Sequence, residues 1–263
     1  VAEPPVLYQV TDQIGQITLN RPENRNSMTD EVLDGLRDAV AQARRDPDLR
    51  CVIITGTGRS FCAGVDFKTQ VQRHQGDRAI LPNERSFAMY SPFLSVLGIA
   101  VPTIGALNGH AIGGGLGLAV VCDIRVANQE ATYGANFTRL GLHPGMATTY
   151  ILPRLVGLPR ATELLLTGRL LNGSEAAELG LVNYAVPPEQ VLDKSWELAR
   201  EIASAAPIAV RMTKASIYRG VDWDPVDAAR IEAHAQSRTL ETEDCQEGVK
   251  ALLEKRTPHF RGR

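Results

Sequence analysis

The chain has 263 residues, of which 44% are apolar and 22% charged, the balance of an ordinary globular protein and not of a disordered or fibrous one. That length exceeds the usual single-domain size, so one large core with an appended small unit and two modest domains are both admissible. The formal net charge is −2 with both signs mixed along the chain, which leaves no basic stripe to track a nucleic-acid backbone and excludes nucleic acid as an expected partner.

In chain order, Leu7 to Val10 and Ile14 to Leu19 flank the turn residues Asp12 and Gly15 and read as a hairpin, ended by Asn20-Arg21-Pro22. Ser27, Thr29 and Asp30 mark a helix start. Val32, Leu33, Leu36, Ala39, Val40 and Ala43 then recur at helical spacing until Asp46-Pro47. Cys51 to Thr55 and Val101 to Leu107 are short apolar runs that read as buried strands. A helix through Val121, a strand near Ile124 to Ala127 and a loop from Gly134 to Gly145 follow. This alternation of β and α is the pattern of a layered α/β core.

Helices dominate beyond Ala147: Ala161 to Leu166, Ser174 to Leu179, Val191 to Ala205, Ile208 to Tyr218 and Asp224 to Leu240 carry helical periodicity, with strand-like Leu181 to Val186 among them. The expected division is a core over 1–206 and a C-terminal helical part over 207–263, joined near Ala206-Pro207. Cys51, Cys62, Cys122 and Cys245 lie far apart without a C-x-x-C pair, so they read as reduced core residues and no metal site is expected. Val1-Ala2-Glu3-Pro4-Pro5 has neither the basic nor the apolar region of a signal peptide, and no apolar run is long enough for a bilayer. A cytoplasmic location without membrane contact is the expectation.

Glycines concentrate in two loops, Thr55-Gly56-Thr57-Gly58-Arg59-Ser60-Phe61-Cys62-Ala63-Gly64-Val65-Asp66 and Asn108-Gly109-His110-Ala111-Ile112-Gly113-Gly114-Gly115-Leu116-Gly117. Each follows an expected strand. The second leads into an apolar helix, so the amides of Gly113 to Gly115 are expected unpaired at its start, where negative charge is attracted. A structural reading of the same glycines is close packing and positive φ alone. Neither loop fits G-x-G-x-x-G, since Phe61 stands where the last glycine would be, and no Gly-Lys-Ser or Gly-Lys-Thr occurs. Dinucleotide and nucleotide-hydrolase readings fall away. The absence of G-x-S-x-G, H-E-x-x-H and an EF-hand loop weakens serine hydrolase, zinc and calcium readings.

These loops, with Asn20-Arg21-Pro22, Asn26-Ser27-Met28, Cys122-Asp123, Leu140-Gly141-Leu142-His143-Pro144-Gly145, Thr167-Gly168-Arg169, Gly180-Leu181-Val182 and Leu253-Glu254-Lys255-Arg256, resemble the crotonase superfamily, the enoyl-CoA hydratase and isomerase group. The likeness spans nearly the whole chain. It implies an α/β crotonase fold of repeated ββα units with a C-terminal helical part that builds a homotrimer, commonly a hexamer as a dimer of trimers. It implies an acyl-CoA substrate, with coenzyme A arriving as part of that substrate and no other cofactor. It assigns an oxyanion hole to the backbone amides of Val65 and Gly114. Adenine and pantetheine are placed near Arg25, Ala63, Asp66 and Phe67, with Lys255 or Phe260 as contributors from a neighbouring subunit.

The chain departs from a hydratase of that group at both catalytic glutamates, whose places hold Gly117 and Phe137; glycine and phenylalanine can neither activate water nor deliver a proton. Glycine and an aromatic at these places look more like the aromatic acyl-CoA members, such as 4-chlorobenzoyl-CoA dehalogenase, but the aspartate nucleophile of that enzyme matches Gly145 and its histidine matches Tyr90. Tyr90, Gly117 and Phe137 are therefore read as shaping an acyl pocket. His143 has two readings, an acid or base at that pocket and a cap for the helix after Pro144. Tyr133 and His110 read as structural, and Asp123 as the partner of an arginine. The leading expectation is an enzyme that stabilises an enolate of an acyl-CoA thioester. Its rivals are hydrolysis, decarboxylation or dehalogenation of a bulky acyl-CoA, and a non-catalytic acyl-CoA-binding homologue.

Overall fold

A computed structural model describes residues 3–65 and 81–263 of the chain; the expected coenzyme A contacts Asp66 and Phe67 lie outside the described residues. The described residues form a mixed α/β structure around two sheets. The strands β1 (Val6–Thr11) and β2 (Ile14–Leu19) form the expected antiparallel hairpin. Parallel pairing then adds β3 (Cys51–Gly56), β5 (Thr103–Leu107), β7 (Ile124–Asn128) and β10 (Tyr184–Val186). The second sheet contains β4 (Ser60–Cys62), β6 (His110–Ile112) and β8 (Thr132–Gly134) in parallel, with β9 (Leu171–Asn172) antiparallel at its edge.

Sequence periodicity explains the larger sheet. Successive strand residues face opposite sides, and in β3 Val52 and Ile54 join one core cluster while Cys51 and Ile53 join another. A strand buried on both faces reads as an unbroken apolar run, as this one does. Helix α1 (Asp30–Arg45) covers one face with the expected stripe from Val32 to Ala43, and Thr29 caps it, its hydroxyl oxygen accepting from Val32 N at 3.4 Å. On the other face, α7 (Val191–Ala203) buries Val191 and Ala199 against Ile14, Ile53, Ile104 and Val126.

Three helices complete the C-terminal region: α8 (Pro207–Gly220), α9 (Pro225–Leu240) and α10 (Glu243–Glu254). Arg211 Nη2 ties α8 to the carbonyls of Pro47 and Leu49, and Arg50 Nη2 donates to the carbonyl of Phe260. Other helices are α2 (Pro82–Leu94), α3 (Gly114–Val120), α4 (Thr148–Val156), α5 (Leu158–Thr167) and α6 (Gly173–Glu178). None of the described helices is long and apolar enough to cross a membrane.

Some expectations are corrected. The strand expected over Leu181–Val186 contracts to Tyr184–Val186, because the amides of Leu181 and Val182 bond back to Ala176 O instead of joining a ladder. The expected loop after Gly134 contains a 3₁₀ turn, Asn136–Leu140. Asp123 pairs with a lysine, not an arginine: Lys214 Nζ of α8 lies 2.7 Å from its Oδ2, which also accepts from the amide and hydroxyl of Thr103. The nearby Arg125 guanidinium is instead spent on the carbonyls of Leu181 and Cys122.

Candidate active site

The three parallel strands of the small sheet end on one side of the molecule, and the residues just beyond each of them line a single cavity. Ala63, Gly64 and Val65 follow β4; Gly113 and Gly114 follow β6; Asn136 and Phe137 follow β8. Open parallel sheets place their ligands at the carboxyl ends of strands because the loops there face outward together. The cavity has a volume of about 820 Å³.

The two glycine loops meet at its floor. Gly64 has φ +84°, and a β-carbon added there would lie 2.6 Å from Ile112 O and 3.1 Å from Gly114 N. No side chain fits between them. Met28 N donates to Gly64 O at 2.8 Å in a parallel bridge between Met28 and Val65. That bridge uses the carbonyl before Val65 and leaves the N–H of Val65 outside the pairing. Gly114 is the first helical residue after the N-cap Gly113, and a first-turn N–H has no acceptor within its own helix. The expectation for Gly113 is corrected: its amide donates to Gly134 O at 2.8 Å and is spent on holding β6 to β8.

The wall on the β4 side is set by a turn of unusual backbone. Arg25 and Asn26 adopt φ +59° and +55°. The fully buried Asn26 side chain donates to the carbonyls of Thr57 and Ser60 and accepts from Arg21 N, while Ala63 N donates to Arg25 O at 3.1 Å. Arg25 and Ala63, expected together at the coenzyme, are thus adjacent at the cavity edge.

Neither place at which the resemblance expects a glutamate offers an acid. A β-carbon on Gly117 would lie 2.4 Å from Met146 Cβ and 2.7 Å from its Cγ, so Gly117 is roofed by a methionine and does not itself line the cavity. Phe137 is buried and presents an apolar ring to it. Gly145 is closed in the same way by Tyr90, whose hydroxyl oxygen would meet a β-carbon there at 2.6 Å. Met146 and the following Ala147 hold φ +58° and +57°, which costs L-residues about 1–2 kcal/mol each. Thr148 anchors this bend through its amide and hydroxyl, both donating to Gly145 O.

His143 lines the cavity and is exposed. Its Nδ1 lies 2.7 Å from Pro144 O. A carbonyl only accepts, so Nδ1 carries the proton and the neutral ring keeps its lone pair on Nε2. The capping reading is corrected: the N-cap of α4 is Ala147, with no side-chain cap. Cys62, beside the Val65 loop, offers no nucleophile, because burial pushes its thiol up to about 12. Tyr133 is a core residue, its hydroxyl donating to Asn128 O and Leu107 O, and His110 Nδ1 accepts from Thr132 N. Phe260, expected to contribute from a neighbouring subunit, packs beside Gly248 within its own chain.

The cavity therefore gathers Val65, Gly114, Arg25, Ala63, Tyr90, Phe137 and His143, and leaves Gly117 beneath Met146. Sequence reasoning missed Met146, Met89 and Asn136 as lining residues. Helical spacing from Tyr90 could have pointed to Ser86, four residues earlier, which also lines the cavity; nothing in the sequence signals the left-handed bend that turns Met146 inward.

The family model described as enoyl-CoA hydratase/isomerase matches residues 9–263. The (E)-benzylidenesuccinyl-CoA hydratase of Thauera aromatica is 37% identical over 264 residues, covering 98% of this chain and 99% of that protein. The human mitochondrial enoyl-CoA hydratase domain-containing protein 2 is 38% identical over 255 residues, covering 95% of this chain and 86% of its own. The crystal structure of an enoyl-CoA hydratase from Bacillus anthracis superposes with a TM-score of 0.91 at 36% identity, covering 98% of this chain and 100% of that one. With a match over nearly its whole length and relatives well above 30% identity, the chain belongs to the enoyl-CoA hydratase/isomerase family.

Proposed function

We propose that the protein is an acyl-CoA thioester-processing enzyme that holds the thioester oxygen between the amides of Val65 and Gly114 and stabilises an enolate. The observation that carries this reading is the approach of the two glycine loops, with the Gly64 β-carbon position 3.1 Å from Gly114 N. Loss of a proton next to a thioester carbonyl puts negative charge on that oxygen. Donors already fixed around it need no reorganisation as the charge grows, and each contributes about 3 kcal/mol. The acyl-CoA class is supported by the family and by the relative named for a benzylidenesuccinyl-CoA substrate. With Met146 over Gly117 and a phenyl ring at Phe137, addition of water by a pair of carboxylates has no support here. The Nε2 of His143 is the candidate proton carrier at the cavity.

The test is incubation with a panel of acyl-CoA esters in deuterated water, read by mass spectrometry. Conversion, or deuterium incorporated at the α-carbon, is the expected result, and His143→Ala is expected to slow it by about 100-fold. Esters that bind by calorimetry yet neither convert nor exchange would replace the enzyme with a binding module. A His143→Ala rate equal to the parent's would remove His143 alone.

The assembly we propose is a homotrimer or a dimer of trimers. Leu240, Val249, Leu252 and Leu253 of the C-terminal helices are 55–79% exposed, more apolar surface than an isolated chain leaves in water without use. Sedimentation equilibrium is expected to give a multiple of three chains, and a monomer mass would refute the assembly.

A further inference from the structure

We propose that Met146 selects the acyl group by filling the space over Gly117 beside the oxyanion amides, so that it sets the depth of the acyl pocket; the proposal rests on the acyl-CoA reading above. Two distances carry it. Met146 Cβ and Cγ stand 2.4 and 2.7 Å from where a Gly117 side chain would begin, and its Cε stands 3.2 Å from where a Gly114 side chain would begin. The side chain therefore runs from the vacated glutamate place to the edge of the oxyanion site.

An oxygen accepting from Gly114 N sits about 2.9 Å from it, and the first carbons of the acyl group follow within one or two bonds. The thioether methyl of Met146, 3.2 Å from the Gly114 β-carbon position, stands within reach of those carbons. Phe137, Tyr90, Met89 and Leu142 line the same cavity, so the acyl group meets apolar surface there. A thioether is unbranched and polarizable, and it adapts to a flat or bulky group while still keeping water out. Met146 itself is 1% exposed and has an uncommon left-handed backbone, which directs it inward.

The experiment is calorimetric titration of the full-length protein and of Met146→Ala with crotonyl-CoA and cinnamoyl-CoA. Removing the thioether deepens the pocket, so the ratio of the two dissociation constants is expected to move about tenfold or more towards the bulkier cinnamoyl ester. An unchanged ratio in a Met146→Ala protein that still melts cooperatively would overturn the proposal. Should that variant not fold, Met146→Leu, which keeps most of the volume but loses the reach of Cε, carries the same comparison with a smaller shift in the same direction. A parent protein that binds neither ester would sink the acyl-CoA reading, and this proposal with it. A second readout is independent of any ligand: Gly117→Ala is expected to lower the melting temperature in the parent and to lower it less in a Met146→Gly background, which removes both the Cβ and the Cγ that crowd that position. Equal losses in both would show that Met146 does not occupy the space.

Discussion

Gly114→Pro is expected to cut turnover by about 100-fold or more relative to Gly114→Ala, with a smaller change in the affinity for an acyl-CoA ester. The comparison is built on the position of Gly114 as the first residue of α3. Proline suits that position, because its fixed φ matches the helix and the N–H it lacks has no acceptor within the helix. It removes the oxyanion donor and leaves α3 able to form. Both variants add a β-carbon, which would meet Met28 Sδ at 2.4 Å and Met146 Cε at 3.2 Å. These are atoms of flexible side chains, but Met28 also braces the other loop through its amide bond to Gly64 O, so the alanine variant measures the cost of crowding. What remains between alanine and proline is the loss of the N–H, whose place on the nitrogen the ring Cδ takes. Equal turnover in two folded variants would show that Gly114 does not hold the oxygen.

Gly115→Ala is expected to lower stability by about 3 kcal/mol and to abolish most activity, although it touches neither donor. Its β-carbon would lie 1.9 Å from Cys62 O and 2.6 Å from the carbonyl carbon. Those atoms are backbone, so no rotamer change relieves the clash, and the two loops must separate by roughly 1 Å or more to reach ordinary contact. Cys62 ends β4 and leads directly into Ala63-Gly64-Val65. A displacement of that size at a positioned reacting group costs about 100-fold in rate. Denaturant unfolding with an unchanged slope, together with turnover, checks both parts. A Gly115→Ala protein with parental midpoint and rate would mean that the loops do not approach as closely as these distances require.

Long, strongly periodic segments were legible in the sequence. The hairpin of β1 and β2, the stripe of α1 and the apolar run of β3 each bury a large surface, so their periodicity survives as a pattern. The three-residue strands β4, β6 and β8 left no such signal, because a strand that short completes barely one alternation. They are defined by their neighbours and not by their composition. Helix α10 was overlooked despite a readable start, in which Thr242 Oγ1 accepts from Cys245 N, because its Val249, Leu252 and Leu253 point outward and no core explained them.

The sequence by itself determined the layered α/β class, the two glycine loops and the absence of a carboxylate at positions 117 and 137, since these follow from residue identity: glycine at position 117 and phenylalanine at position 137 carry no acid in any fold. Only the tertiary structure decided what surrounds those two positions. Gly113 to Gly115 look alike in the sequence, yet one amide is spent on Gly134, one begins a helix facing the cavity, and one is pressed against the carbonyl of Cys62. Met146 entered the site through a left-handed bend whose cost of about 1–2 kcal/mol per residue is borne by packing from residues distant in the chain. Such conformations depend on contacts that close only when the sheets and loops have met, which is why no local pattern announces them.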